Sequence, residues 1–316
     1  MSSHLTERAD VTAFRRFSRY FTARTGVLSD RYLGLARPLG QARLLFELGE
    51  ATGLGELRRR LEIDAGQLSR MLAALQAQRL VRLSRDPADR RRRVVELTAR
   101  GRRERAEQQR RADEVAERLL SALPPEQRAE LTGALTKAER LLRLAVIELR
   151  PLDPASAEAR YCLTAYATEL AARFPEGFEV SDLLTADQLS AGRGRFLAAF
   201  EEERPVGCGA VRTLQPGVAE LRHLWVAAQA RGAGLGRRLL RALEAEAAEL
   251  GHHTVRLGTH EVLGEAIGLY RRCGYREIPR YSADPHNHLW FERPLTGPGP
   301  SPDPAVYRPA HGPATG

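Results

Sequence analysis

The sequence predicts two domains, a mainly α unit carrying a β hairpin followed by an α/β unit, on three observations. The chain has 316 residues, 43% hydrophobic and 28% charged, which is enough apolar material to bury two cores of ordinary size. Its charge is segregated, with 31 Lys+Arg against 20 Asp+Glu in residues 1–150 and 18 against 20 in residues 151–316. Two prolines, Pro151 and Pro154, follow a long helical pattern and are expected to stop it. The expected division is 1–149, 150–295 and a tail over 296–316. In that tail Pro, Gly, Ala and Ser recur without an apolar period, so it reads as disordered.

Composition excludes several classes. No run approaches the roughly 18 apolar residues of a membrane span, and Met1–Asp10 lacks a signal peptide's apolar stretch. A cytoplasmic protein is expected. Cys162, Cys208 and Cys273 are far apart, so they read as reduced thiols rather than a disulfide framework or zinc set. Lys137 is the single lysine; a bias against Lys explains Arg over Lys but not the segregation of charge. The basic excess of the first unit points to a polyanion partner for that unit alone.

Helices are expected over 44–50, 56–62 and 65–78. Asp64-x-x-Gln67 has the form of a capping box, and Leu68, Met71, Leu72 and Leu75 then recur at helical spacing. The opposite face is small, with Gly66, Arg70, Ala73 and Ala77 flanked by Gln67, Ser69 and Ala74. Such a face can enter a major groove, where Gln67, Ser69 and Arg70 would reach base edges or phosphates. Two β-prone runs follow, 81–85 and 92–97, joined by the turn residues Asp86-Pro87-Ala88-Asp89. Arg90, Arg91, Arg92 and Arg93 concentrate charge suited to phosphates and a narrow minor groove.

Three helices and a basic hairpin in this order resemble the MarR family of transcription regulators, over roughly residues 11–149. The most specific pieces are Asp86-Pro87-x-Asp89-x-Arg91 and Leu97-Thr98-x-x-Gly101. The resemblance implies a winged helix-turn-helix fold, an Asp89–Arg91 ion pair that organises the wing, and a homodimer. The dimer would be joined by helices at about 11–24, 100–120 and 125–149. Leu119, Leu120, Leu123, Leu131, Leu135, Leu141, Leu142 and Leu144 independently call for a partner surface. A two-fold dimer reads an inverted-repeat operator in double-stranded DNA.

In the second half a strand is expected over 219–226 and a helix bearing Leu239, Leu240 and Leu243. Between them lies Arg231-Gly232-Ala233-Gly234-Leu235-Gly236. A glycine-rich turn from strand into helix bares backbone N–H groups at a positive dipole end, which suits pyrophosphate. The loop ends Gly236-Arg237-Arg238, so it lacks the Lys-Ser/Thr of a nucleotide-triphosphate loop. Its glycines are spaced by two, which fails the dinucleotide pattern.

What remains, Arg231-x-x-Gly234-x-Gly236, resembles the coenzyme A motif of the GNAT superfamily of N-acetyltransferases. Further resemblance lies in Ala266-x-x-Leu269-Tyr270 leading to Gly274-Tyr275, with strands expected at 196–200, 206–214 and 254–259. It spans roughly 148–295. It implies a mixed sheet splayed at the strand before the loop, where pantetheine inserts, and acetyl transfer from acetyl-CoA to an amine without a metal. It also implies Tyr270 as the acid at the coenzyme sulfur and Glu220 as the base, acting through water. The amides of Trp225 and Val226 would face the thioester, and Arg231, Gly232, Ala233, Gly234, Leu235, Gly236 and Arg237 would hold pyrophosphate. His223, on the opposite side of an ideal strand from Glu220, is a reserve candidate. His260 stands where related fusions carry Asn. His286 and His288 could ligate a metal, but no third ligand is evident, and no metal site is expected.

The two halves together resemble fusions of a DNA-binding dimer with an acetyltransferase. The leading expectation is a bifunctional regulator and enzyme acting on a small-molecule or protein amine. Its rival is a non-catalytic regulator that senses acetyl-CoA or another ligand. A third reading, a dimer scaffold that has lost DNA binding, sits poorly with the four-arginine wing.

Overall fold

The computed structural model describes residues 2–26, 32–35, 37–49, 51–85, 92–183, 185–189, 192 and 194–295. The expectations for the turn at 86–89, for Asp89, Arg90 and Arg91, and for the tail at 296–316 lie outside the described residues. The chain packs as two units that divide between Thr132 and Gly133.

The first unit is helical with a small sheet. Its helices are α1 (Ser2–Arg24), α2 (Leu39–Glu47), α3 (Leu54–Arg60), α4 (Ala65–Ala77) and α5 (Ala99–Ser121), and α6 (Pro125–Val146) begins in it. Strands β1 (Thr52–Gly53), β2 (Val81–Arg85) and β3 (Arg93–Leu97) form an antiparallel sheet in the order β1-β3-β2. Leu44, Leu45, Leu57, Leu72, Leu75 and Val95 fill the core. The helix expected over 44–50 starts at Leu39, directly after Pro38, and gives way to extended backbone at Leu48. The helix expected over 56–62 ends at Arg60, and Glu62 takes a left-handed φ of 51°.

The Leu97-Thr98-x-x-Gly101 pattern has a physical reading here. Thr98 caps α5 by accepting from the Gly101 amide at 3.0 Å and donates to the Arg79 carbonyl at 2.7 Å. A Cβ on Gly101 would lie 1.9 Å from the Leu80 carbonyl oxygen, so only glycine lets α5 approach the turn before β2 this closely.

The prolines do not end α6 as expected. The helix stops at Val146, and Glu148–Leu152, which includes Pro151, is the strand β4. β4 lies at the edge of its sheet, where a residue without an N–H donor is tolerated. Arg238 caps the helix end by donating to the Leu144 and Ile147 carbonyls at 2.8 and 2.7 Å.

The second unit continues with α7 (Ala157–Arg173), α8 (Ala186–Leu189), β5 (Gly194–Glu201), β6 (Arg204–Gln215) and β7 (Val218–Val226). Then come α9 (Leu235–Glu249), β8 (Thr254–Thr259), α10 (Gly264–Arg272), β9 (Arg276–Ile278) and β10 (Leu289–Pro294). The seven-stranded mixed sheet runs β4-β5-β6-β7-β8-β10-β9, antiparallel except for β7 and β8. α9 packs on β5, β6 and β7 through Leu239, Leu240 and Leu243, and these strands also pack against α7.

Two irregularities of β7 shape the site. Its parallel pairing with β8 covers only Val218–Glu220 against Thr254–Arg256, while β8 pairs with β10 along its whole length. The sheet is therefore splayed after Glu220, as the resemblance implied, and Leu221–Val226 have no strand on that edge among the described residues. The second irregularity is a bulge. Ala210 opposes Arg222 and Cys208 opposes Trp225, so Gly209 faces two residues, and His223 takes a φ of 56°. The extra residue turns Trp225 onto the sheet face of Glu220 and Arg222, where plain alternation would put it on the other.

Candidate functional site

The mouth of the splay is closed by the glycine loop. Gly232 and Gly234 have φ values of 84° and 99°, and Gly234, left-handed, is the residue from which α9 starts. The first N–H groups of a helix have no partner within it, so Leu235, Gly236 and Arg237 turn bare donors and the helix dipole toward the splay. Arg231 differs from the expectation. Its amide donates to the Ala228 carbonyl at 3.3 Å, so it belongs to the preceding turn and not to the bare set. Its guanidinium donates to the Val226 carbonyl at 2.8 Å and to Glu169 at 2.5 and 2.6 Å. Glu169 also accepts from the Trp225 indole at 3.0 Å. This carboxylate on α7 joins loop to strand end, and no local pattern in the sequence marked it.

Tyr270 lies on α10 with its ring packed between Tyr275 and Phe291, centroids 5.8 and 6.1 Å away. It is 5% exposed. Burial pushes its phenol well above the usual tyrosine range, so the hydroxyl keeps its proton at any working pH.

Glu220 is 1% exposed and already engaged. Its Oε2 accepts from Arg212 Nε and Nη2 at 2.8 and 2.7 Å, across the β6–β7 pair. Its Oε1 accepts from the Tyr281 hydroxyl at 3.1 Å, with Arg222 Nη1 at 3.9 Å. Arg222 itself pairs with Asp284 at 2.8 Å. Burial, and next the carboxylate of Glu220, raise the Tyr281 phenol. Tyr281 and Asp284 come from the chain between β9 and β10, some sixty residues from Glu220 in sequence, a distance no spacing rule bridges. The reserve candidate His223 is buried. Burial first, and then the charges of Arg222 and Arg212, bring its imidazole down to about 3.

A third partner for His286 and His288, absent from the sequence pattern, does exist in the fold. Glu176, His260 and His288 bring one ligand atom each within 4.8 Å of one another, and His286 Nδ1 is 3.5 Å from Glu176. The hydrogen bonds nevertheless disfavour a metal on His260. The Val262 amide donates to Nδ1 at 3.1 Å, which places the ring proton on Nε2, where Glu176 accepts it at 3.0 Å. A metal at Nε2 would have to displace that proton. The His260 ring also stacks on Phe174 at 4.1 Å.

In the first unit the Asp64 side chain caps α4, accepting from the Gln67 amide at 2.8 Å. That bond holds its carboxyl below the usual range. Leu68, Leu72 and Leu75 are buried, and Gln67, Ser69 and Arg70 are exposed together on the outer face. Arg92, just before β3, is exposed as well. The hairpin stem is pinned by Arg82 and Glu96, directly opposite each other and 2.6 Å apart. Elsewhere the unit leaves large apolar side chains in water: Val11, Phe14, Phe17, Tyr20 and Phe21 along α1, and Leu119 and Leu131 on α5 and α6.

A glycine loop at a splayed mixed sheet is a candidate acyltransferase site. The chain matches the Acetyltransferase (GNAT) family over residues 163–275 and the MarR family over residues 33–92. It is 35% identical over 121 residues to an IAA acetyltransferase of Azospirillum brasilense, covering 37% of this chain and 78% of that protein. It is similar to a structure from Klebsiella pneumoniae named as an acyl-CoA N-acyltransferase, with 29% identity, 48% of this chain and 99% of that one covered, and a TM-score of 0.41. It is also similar to a GNAT family acetyltransferase of Elizabethkingia anophelis with acetyl-CoA bound, with 16% identity, 48% and 99% coverage, and a TM-score of 0.35. The chain belongs to the GNAT acetyltransferase family. In one chain it carries an acetyltransferase domain of that family and, ahead of it, a MarR-family domain. Among the described residues no helix is long and apolar enough to cross a membrane.

Proposed function

We propose that the protein is bifunctional, a dimeric regulator that binds double-stranded operator DNA and an enzyme that moves acetyl from acetyl-CoA to an amine of a small molecule or protein. The observation that carries the catalytic reading is the loop: left-handed Gly234 opening α9 beside the unpaired edge of β7. Pantetheine laid along that edge would satisfy backbone groups as an added strand does, and the amides of 232–237 would receive the pyrophosphate.

The amine lone pair attacks the thioester carbonyl, the Val226 amide orients that group, and the C–S bond breaks. The Trp225 amide, two residues before the Ala227 amide that bonds the Val206 carbonyl, is turned to β6. The leaving thiolate takes a proton from Tyr270, which is replenished by the proton the new amide loses. Glu220 is the base in this reading: through water it takes one proton from the ammonium form of the acceptor, before the neutral amine attacks. It has the weaker support, because Arg212 and Tyr281 already occupy both its oxygens. The same observation favours a second reading, a unit that binds acetyl-CoA and signals to the DNA-binding half without turning it over.

DNA recognition is assigned to Gln67, Ser69 and Arg70 on α4 and to the wing with Asp89, Arg90, Arg91 and Arg92. Dimerisation is assigned to α1, α5 and α6, whose apolar side chains need cover. These roles occupy residues 1–149, catalysis occupies 150–295, and 296–316 is a tail. A cytoplasmic location follows from the DNA reading.

The test is an acceptor screen with acetyl-CoA that detects free thiol, paired with calorimetry. Thiol release that depends on an amine supports the enzyme. Tight acetyl-CoA binding with no release from any amine supports the sensor, and no binding overturns both. Fluorescence anisotropy with operator and random DNA over a salt series tests the other half, because a true reader keeps a large specificity ratio.

A further inference from the structure

Beside the glycine loop stands an arginine that belongs to neither the loop nor the sheet. A Cβ built on Gly232 would lie 2.9 Å from Arg140 Nη1 and 3.4 Å from its Cζ. The guanidinium of a residue on α6 therefore covers this part of the loop at contact distance. Its place is set by the packing of α6 within the second unit. Arg238, in the first turn of α9, holds the Leu144 and Ile147 carbonyls, and Leu144 packs on the core of the unit.

Among the described residues the charge of Arg140 is uncommitted. Its neighbour Arg143 is paired with Glu139 at 3.2 Å and lies 3.7 Å from Glu201, and Arg231 is held by Glu169. Arg140 makes no ion pair among the described residues. A guanidinium is a planar fork that matches two phosphate oxygens at once, and this one lies against the loop to which pyrophosphate is assigned above. Gly232 at the point of contact has no side chain to stand between them.

We infer that Arg140 is a ligand of the coenzyme's phosphate groups, so that α6 supplies part of the acetyl-CoA site. The inference rests on the acetyl-CoA reading above and adds a residue to it from outside the loop. The amides of 232–237 take the pyrophosphate from the helix side, and Arg140 closes over it from the other. The pyrophosphate is favoured over the 3′-phosphate because the guanidinium sits against Gly232, inside the loop.

The experiment is calorimetry of the full chain with coenzyme A and with 3′-dephospho-coenzyme A, for wild type, Arg140→Ala and Arg140→Met. Methionine keeps most of the apolar stem, and melting curves confirm that each variant folds. Both variants are expected to weaken coenzyme A by about 10- to 100-fold. The slope of log K against log salt should become shallower as a screened charge pair is lost, a change that lost packing alone would not produce. An equal loss with 3′-dephospho-coenzyme A supports the pyrophosphate contact. A loss confined to coenzyme A supports contact with the 3′-phosphate instead. Wild-type affinity and slope in both variants would overturn the inference while leaving the acetyl-CoA reading intact. A wild type that binds neither compound would overturn that reading itself, and the inference with it.

Discussion

The two units hold their functional residues in opposite ways. In the second, Tyr270, Glu220 and His223 are each 5% exposed or less, and Glu220 and Arg222 are tied to partners from other elements. In the first, Gln67, Ser69 and Arg70 stand in water on α4, and Phe14, Phe17 and Tyr20 on α1 are half exposed or more. In the function proposed above, the difference follows from what each unit would recognise. A thioester and an amine react only when held to a fraction of an ångström in a dry, preorganised place. A duplex is met by a face that stays open until it docks. The buried unit should therefore fail sharply and locally when altered, and the open unit gradually and in proportion to salt.

The sharpest break is expected at Gly234. A Cβ there meets nothing within 4 Å, so the damage from Gly234→Glu comes from a φ of 99° that a side chain disfavours and from an anion placed where phosphate binds. Acetyl-CoA affinity should fall by about 1,000-fold or more by calorimetry. Operator affinity by anisotropy should stay within about twofold, since the altered loop and α4 belong to different units. A parallel loss of DNA binding would show that the contrast between the units is false.

Next in size is Tyr270→Phe, which removes the hydroxyl and keeps the ring against Tyr275 and Phe291. Turnover should drop by about 100-fold, with the KM for acetyl-CoA changed little. A phenol kept protonated by burial also predicts that wild-type turnover shows no decline through pH 9 from loss of this acid. Unchanged turnover in the variant would remove Tyr270 from the chemistry and leave the source of the thiolate's proton to another group.

How much could be read in advance divides between contacts local in sequence and contacts made only by the fold. The Asp64 cap, the strands at 81–85 and 254–259 and the loop before α9 rest on residues within a few positions of one another, and local physics determines them. The surroundings of Glu220 rest on Arg212, Tyr281, Arg222 and Asp284, which meet only through sheet register and a distant loop. Glu169 and Arg140 reach the loop from helices with no signature for it. The bulge at His223 was hidden for another reason. Histidine in a run of strand formers carries no mark of a left-handed φ, yet that one residue moves Trp225 to the other face. Pro151 misled because a proline can end a helix or sit on an edge strand, and only the sheet order decides.

The open unit should respond by degrees. Arg70→Ala is expected to weaken operator binding by about 10-fold and to lower the salt slope by about one. The α4 cap and buried face remain, so acetyl-CoA affinity should not change. A loss equal on operator and random DNA would make Arg70 a phosphate contact. A larger loss on operator would make it a base reader.

The smallest effect tests the buried unit through its stability. His223 titrates near 3 in the folded chain, against an ordinary value of 6.5. Between those values the unfolded chain binds a proton that the folded chain refuses, so stability contributed by the neutral ring is complete above pH 6.5 and declines as pH falls toward 3. At pH 5.5 the loss should be about 1 kcal/mol. His223→Asn isolates it, because Asn tolerates a left-handed φ of 56° and should keep the bulge, while nothing at the position then titrates. Denaturant titrations at pH 7.5 and 5.5 should show wild type losing about 1 kcal/mol more than the variant for the second unit. The first unit, which lacks this ring, should lose the same in both proteins. Equal losses for the second unit would mean that the imidazole accepts its proton inside the fold, against the charges of Arg222 and Arg212. The strand would then have to open at the bulge, and the face shared by Glu220 and Trp225 would be less rigid than their exposure indicates.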